Sequence, residues 1–452
     1  MTKIVAVAIG LAALLSSPAW AAQGAIPERG AVGLLVLGRG QALREELASE
    51  RCRCEITIHR LPPPRRYSIR IVGAGLQGLL VSDRTRVPGL VSLSDVEATV
   101  RALERGGKPP ITSRPNSDPD DEIRELDVRL TQVHQAGRWA YWILAGALVA
   151  FALAALALRS PLWGRAALLA PPIAMATAVG LSGLELSRPR TVALVLLAAV
   201  ALAAPLLAAI ARRERVLGMA LLAIFVVYAV AFLFSSETVS LAAIGPHPEG
   251  GGRFYGFTNL METLLLVPGL VGAALLGRRS LVPVGLLVLV VVGSSRLGAD
   301  GGGVLVFAAA FVFLWLRLRR VPITLRTLAL VGAGAVAAGL LLVGLDAALG
   351  GASHVTRALG DGPGAVAGEI AHRWNVSAHG LVSSANAVVL ISCGAAVVVW
   401  VGLRRPRYAI LDAVLVALAV SLLVNDSPRD VVTWGALSCL ALRLWEDARR
   451  VQ

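Results

Sequence analysis

Lysine is nearly missing from this 452-residue chain: it occurs only at Lys3 and Lys108, so arginine supplies almost all of the 43 basic residues. Charged residues of every kind amount to 16% and aromatics to 5%, against roughly 25% charged in an average soluble domain. That scarcity excludes an ordinary water-soluble enzyme. With 56% hydrophobic residues and a mean hydropathy of +0.71, the composition belongs to the membrane class. A net charge of +14 would point to nucleic acid in a soluble protein. Here most arginines lie in short loops between apolar runs, where they set topology, and no nucleic-acid partner is expected. Four cysteines are too few for a disulfide framework. Cys393 and Cys439 fall in apolar runs, as small hydrophobes do. Cys52 and Cys54 form a Cys-Arg-Cys pair in which a bridge between near neighbours would be strained. A zinc site there would need two further ligands and only His59 offers itself, so no metal is expected. Nothing in the sequence calls for a cofactor.

Residues 1–21 combine one lysine, an apolar core from Ile4 to Leu15 and the small-x-small ending Ala19-Trp20-Ala21, the pattern of a signal peptide. An uncleaved anchor is the weaker alternative, because the core is short for a bilayer. Either reading starts residue 22 outside the cytoplasm. Residues 22–138 are polar and read as a small extracytoplasmic α/β domain. Its strands are expected at Val32 to Leu37, Tyr67 to Val72 and Leu79 to Val81, and its helices at Gln41 to Ser49, Asp95 to Glu104 and Glu122 to Gln135. Pro109, Pro110, Pro115 and Pro119 mark a hinge before the last helix leads into the first span.

Residues 139–452 read as an all-α polytopic bundle of about eleven transmembrane helices, near 139–158, 166–184, 191–211, 217–236, 260–277, 281–297, 302–316, 327–345, 386–403, 408–424 and 430–446. Each run approaches the roughly 20 residues that cross a bilayer. With the first domain outside, the arginine-rich loops at Arg159 and Arg165, Arg212 to Arg215, Arg278 and Arg279, Arg317 to Arg326 and Arg404 to Arg407 fall inside, together with the C-terminus. Signal sequence and charge bias thus agree on a multi-pass protein of the cytoplasmic (inner) membrane; the Arg188/Arg190 loop is the local exception.

Gly73-Ala-Gly75-Leu-Gln-Gly78 matches the dinucleotide fingerprint, but no adequate helix opens at Gly78 and no acidic residue closes a second strand, so these are read as turn glycines. The stretch from Gly78 through Arg-Val-Pro-Gly-Leu-Val-Ser-Leu-Ser-Asp95 to Val100 resembles the closing segment of alkaline-phosphatase-like domains fused to multispanning membrane proteins of actinobacteria. The metal-binding Asp/His cluster of a two-metal hydrolase is missing, so the resemblance implies a shortened, non-catalytic relic.

Charge at bilayer depth is costly, which makes polar residues at span ends candidates for function. One outward loop reads Gly245-Pro-His247-Pro-Glu249 and continues to Arg253-Phe-Tyr255-Gly256-Phe-Thr-Asn259-Leu-Met-Glu262. The next outward turn holds Ser294, Ser295, Arg296, Gly298 and Asp300. A third loop, 346–385, holds His372, Arg373 and His379, and a fourth holds Asn425, Asp426 and Ser427. Arginine's planar fork suits a diphosphate, while Asn259 and Glu262 share a helix face. For any one of these residues, an ordinary solvated loop with turn glycines is an adequate account. The set is harder to explain that way.

The "RFYGFTN" and "NDS" stretches are similar to segments of those same actinobacterial proteins. The order Arg253-x-x-Gly256-x-x-Asn259, then Ser295-Arg296-x-Gly298, then a longer outward loop, is also similar to O-antigen ligases and polymerases. That resemblance implies a metal-independent transfer of glycan from an undecaprenyl-diphosphate-linked saccharide. Arg253 and Arg296 would hold the diphosphate, with Tyr255, Asn259, Glu262, Asp300, Arg373 and Asp426 around the substrate, and His379 or His372 would act as base. Two other classes stay open. A transporter or flippase of an envelope precursor would use Pro171-Pro172 and Pro268 to break spans; a non-catalytic scaffold would dock envelope-assembly partners through the exported domain. The arginines are expected to converge on one pocket.

Overall fold

The computed structural model describes residues 30–37, 54–61, 65–73, 75–250, 253–348 and 384–450. Within them the chain divides into two compact units. The first comprises Met1–Gln135 with Pro246–Tyr255, and the second Ala136–Gly245 with Gly256–Gln452.

The first unit is built on a six-stranded mixed sheet: β1 (Ala31–Val36), β2 (Cys54–Leu61), β3 (Arg66–Gly73), β4 (Gly78–Ser82), β5 (Leu90–Ser92) and β6 (Ile111–Arg114). The order is β2-β3-β1-β4-β6, with β5 pairing β1. β1 is antiparallel to β3 and parallel to both β4 and β5. All six β1 residues are buried, the uninterrupted apolar run expected of a central strand covered on both faces. Helix α1 (Leu93–Glu104) starts with a capping box in which Ser92 accepts from the Asp95 backbone and Asp95 returns the bond. The same buried Asp95 carboxylate accepts from the Ser82 hydroxyl at 2.8 Å and pairs with Arg84 at 3.0 Å. The aspartate of the Pro-Gly-Leu-Val stretch therefore ties a turn together.

Three strands were expected here, and the described residues hold six. The proline-flanked segment read as a hinge carries β6, which pairs with β4. The glycine run between β3 and β4 behaves as turn chemistry, with positive φ at Gly73, Gly75 and Gly78 and a strand, not a helix, opening at Gly78. The helix expected at Gln41 to Ser49 lies outside the described residues, as do residues 1–21 and Cys52. Cys54 is disulfide-bonded.

Helix α2 (Pro119–Leu158) runs without interruption for 40 residues, so the last helix of the sheet unit and the first expected span are one element. Its first half is pinned to the sheet: Arg66 donates to the Asp127 carboxylate at 2.8 Å and the Thr131 hydroxyl at 2.9 Å, and Arg70 donates to both oxygens of Asp120.

The second unit is helical. After α2 come α3 (Pro161–Gly183), α4 (Pro189–Ala198), a π segment at Ala199–Ala203, α5 (Ala204–Ile210), α6 (Glu214–Phe234), the short α7 (Ser236–Ser240), α8 (Asn259–Leu276), α9 (Leu281–Gly293), α10 (Gly301–Leu318), α11 (Leu325–Ala348), α12 (Ala385–Leu403), α13 (Ala409–Val424) and α14 (Pro428–Arg450). Each of the eleven expected spans falls on helix, and among the described residues eight helices are long and apolar enough to cross a membrane. The exceptions are α9, with 13 residues, α13, with 16, and the more polar α14. Pro171 and Pro172 lie inside α3 and Pro268 inside α8, and both helices continue through them. The broken-helix argument for a transporter therefore falls. Neighbouring helices accommodate such prolines in membrane bundles.

Burial sorts the helices. In α8, 83% of the most apolar window is buried, against 17% in α11 and in α12. Hence α8 is the axis, packed by α3, α6, α9, α10, α13 and α14, while α11 and α12 present leucine and valine outward. Large apolar side chains such as Leu202, Phe234 and Leu341 are exposed. Such surfaces are stable in lipid and not in water. The chain is a multi-pass membrane protein by this measure.

Candidate functional site

One gathering of polar residues in the second unit lies where α8 and α10 begin and α9 and α13 end. Thr258 caps α8, accepting from the Met261 backbone, and so places Asn259 and Glu262 in its first turn. Glu262 has no exposed surface. Its carboxylate accepts from the Ser421 hydroxyl at 3.1 Å and from Asn425 Nδ2 at 2.9 Å, and that amide also reaches Ser421 Oγ at 2.7 Å. Ser421 and Asn425 are one helical turn apart, so both face α8 from the end of α13. Nearer the surface, Asn259 Nδ2 donates to Asp426 Oδ1 at 2.7 Å. The cluster thus grades from exposed Asp426 through half-buried Asn259 to buried Asn425, Ser421 and Glu262.

The turn between α9 and α10 completes it. A Cβ on Gly256 would lie 2.2 Å from the Gly298 carbonyl oxygen, and Phe257 N donates to that same oxygen at 2.8 Å. Gly256 also has φ +88°, so only glycine fits without strain. Gly298 N and Asp300 N donate to the Val291 and Val292 carbonyls, which folds the turn back on α9 and buries Asp300 at the N-cap of α10. A Cβ on Gly302 would meet Asn425 Oδ1 at 2.7 Å and Asp300 Oδ1 at 3.7 Å. Segments 256–262, 295–303 and 421–426 are therefore one constellation. Arg296, expected to grip an anion, is exposed on this turn, whereas the deeply buried ionisable groups of the constellation are the carboxylates Glu262 and Asp300.

Arg253 and Tyr255 belong to the first unit. There the Arg86 guanidinium lies 3.9 Å over the Tyr255 ring, a cation–π contact that joins the Arg-Val-Pro-Gly turn to the loop carrying Arg253. The same loop brings His247 and Glu249 to His134 of α2, with His134 Nδ1 at 2.8 Å and His247 Nδ1 at 3.5 Å from Glu249 Oε1. Burial pushes the Glu249 carboxyl up, but the bond and charge of His247 and the bond from His134 outweigh it and hold the group below the usual carboxylate range. Nothing in the sequence signals this contact, since His134 is a single histidine on a helix, 115 positions from Glu249. His372, Arg373 and His379 lie outside the described residues.

No group of three or more His, Cys, Asp or Glu among the described residues could hold a metal ion, and His59 is exposed on β2. What the constellation of the second unit offers is hydrogen-bonding chemistry: amide and hydroxyl donors, a surface carboxylate and buried carboxylates at the end of apolar helices. The chain matches no protein-family model, no curated protein and no solved structure.

Proposed function

We propose that the chain is an inner-membrane protein of the cell envelope that transfers a glycan from an undecaprenyl-diphosphate-linked donor at the extracytoplasmic face, with its N-terminal domain outside and its C-terminus inside. The observation that carries this reading is the convergence of Asn259, Glu262, Asp300, Asn425 and Asp426 at one end of the helical bundle. Polar groups are costly at that depth and recur where a membrane protein handles a polar ligand. Asn259 and Asp426 suit sugar hydroxyls, and Arg296 supplies the planar fork for a phosphate. His379 or His372 is the base this reading requires. The shortened domain at the N-terminus has a structural role in it, as a relic of an alkaline-phosphatase-like fold.

The test is turnover in proteoliposomes of the full-length protein with a labelled undecaprenyl-diphosphate saccharide and a saccharide acceptor. Transfer by the wild type and its loss in Asn425→Ala, with folding intact, are the expected results. Failure to turn over any lipid-linked donor, or full activity of Asn425→Ala, overturns the reading. Movement of an envelope precursor across the bilayer is the second reading, and wholly buried Glu262 favours it, since intramembrane carboxylates serve coupling ions in transporters. Precursor accumulation in vesicles without glycan transfer would select it.

A further inference from the structure

We propose that Arg165 and Arg212, where α3 begins and α5 finishes, hold the phosphate of an acidic membrane lipid whose acyl chains lie along α5. The inference does not depend on the glycan-transfer reading, because the pair stands at the other end of the helices. A Cβ on Gly164 would lie 2.8 Å from Trp445 Cα, near the end of α14, and α14 starts just after Asp426 of the constellation.

Three observations carry it. Arg165 is half-buried near the start of α3, and its Nε is buried with no hydrogen-bond partner among the described residues. The charge that acts on it is that of Arg212, a second cation. Burying an unpaired guanidinium beside a like charge is costly, and an anion offsets both terms through charge-assisted bonds to the planar forks. The neighbouring carboxylates are engaged elsewhere: Glu214 pairs with Arg449 at 3.2 Å, Glu446 with the same arginine at 4.0 Å and Asp447 with Arg443 at 3.0 Å. Finally, α5 packs on α3 and turns Leu206 and Ile210 outward, one helical turn apart. Arg212 follows them, with its Nε donating to the Ala209 carbonyl at 3.0 Å, which fixes the guanidinium at the end of an apolar stripe and leaves its Nη groups for a ligand.

The stripe decides which anion. Exposed Leu202, Leu206 and Ile210 suit hydrocarbon, and where a membrane helix ends the phosphate at hand is that of a lipid headgroup. A zwitterionic headgroup brings a cation of its own to two guanidinium groups, which opposes binding. An acidic headgroup brings none. The peptide dipoles of α3 act in the same direction, because its N-cap Ser160 makes no side-chain bond and the positive end of the helix is left to an anion.

Native mass spectrometry of the full-length protein in neutral detergent, with phosphatidylglycerol or phosphatidylcholine titrated in, tests this directly. The wild type should bind phosphatidylglycerol about tenfold more tightly than phosphatidylcholine, the worth of one charge-assisted hydrogen bond. Arg165→Gln and Arg212→Gln should each abolish that preference, whereas Arg319→Gln/Arg320→Gln, changed at exposed arginines that follow α10, should keep it. Equal binding of the two lipids by the wild type overturns the proposal. So does an equal loss in the Arg319/Arg320 variant, which would make general basicity the cause. Displacement of the lipid by inorganic phosphate at equal concentration overturns the lipid assignment in favour of a free anion. Thermal unfolding separates binding from structure: without acidic lipid Arg165→Gln should be as stable as the wild type, and only the wild type should gain stability from phosphatidylglycerol. If Arg165→Gln does not fold, Arg212→Gln, altered at an exposed side chain, decides by the same lipid preference.

Discussion

Where α10 finishes and α13 begins, Asp412 accepts from Arg317 Nη2 and Arg407 Nε, each at 2.8 Å. Nearby, buried Arg443 donates to the carbonyls of Arg404, Arg405 and Pro406 and to Asp447. At the opposite end of the same helices, Glu262 takes its bonds from an amide and a hydroxyl, and Asn259 reaches Asp426. The first end meets charge with opposite charge and closes a loop by saturating its carbonyls, which is what a structural anchor requires. At the second end a serine hydroxyl and an asparagine amide donate to the carboxylate, groups whose bonds a ligand's hydroxyls can replace. If the second end is the site proposed above, substitutions at the two ends should separate into effects on stability and effects on function.

The largest loss of stability is expected from Arg443→Ala. Its guanidinium is 1% exposed and serves three backbone carbonyls, so removal strands buried acceptors and an acidic partner at a cost of about 3–5 kcal/mol. Denaturant or thermal unfolding in detergent measures it. A loss under about 1 kcal/mol would erase the contrast, because this end would then be no more structural than the other.

A smaller loss is expected from Gly256→Ala, which adds a methyl 2.2 Å from the Gly298 carbonyl at a positive φ. The strain should cost about 1–3 kcal/mol, and the turn bearing Asp300 should lose order in limited proteolysis or hydrogen exchange of the full-length protein. Wild-type stability in this variant would show that the turn is free to move away from α8.

The bundle was legible in the sequence because a membrane helix is written locally, in the length of an apolar run and the arginines that end it; every expected span fell on helix. The sheet was less so. β2 carries Glu55, His59 and Arg60 at the end of the strand order, where among the described residues it pairs with β3 alone, and β6 is four residues between prolines, so neither shows the apolar signature that revealed β1. At the site, residue types and segments were readable, since glycines, arginines and carboxylates stand out beside apolar runs. The bond from Asn425 to Glu262 was not, because it joins residues 163 positions apart through the packing of α8 on α13. The same limit hid the bond between His134 and Glu249.

The smallest effect on stability, and the sharpest test of the contrast, is expected from Glu262→Gln. The side chain keeps its volume and one acceptor oxygen for Ser421 or Asn425, so a hydrogen bond is conserved while one amide faces another in place of a carboxylate. That exchange costs about 1 kcal/mol, and removing a charge with no solvent access at the end of a membrane helix offsets part of it. Unfolding in detergent should therefore change little, in contrast with Arg443→Ala. Function should not survive as well. If the carboxylate fixes the Asn425 amide for a ligand, its loss frees that amide to rotate, and turnover in the proteoliposome assay should fall about tenfold or more, equivalent to one mispositioned buried hydrogen bond. Asn425→Asp, which places two carboxylates in contact, should be worse on both counts. A Glu262→Gln protein as active as the wild type would reduce the buried carboxylate to packing; one that unfolds as readily as Arg443→Ala would make both ends structural and leave the bundle without a site at this position.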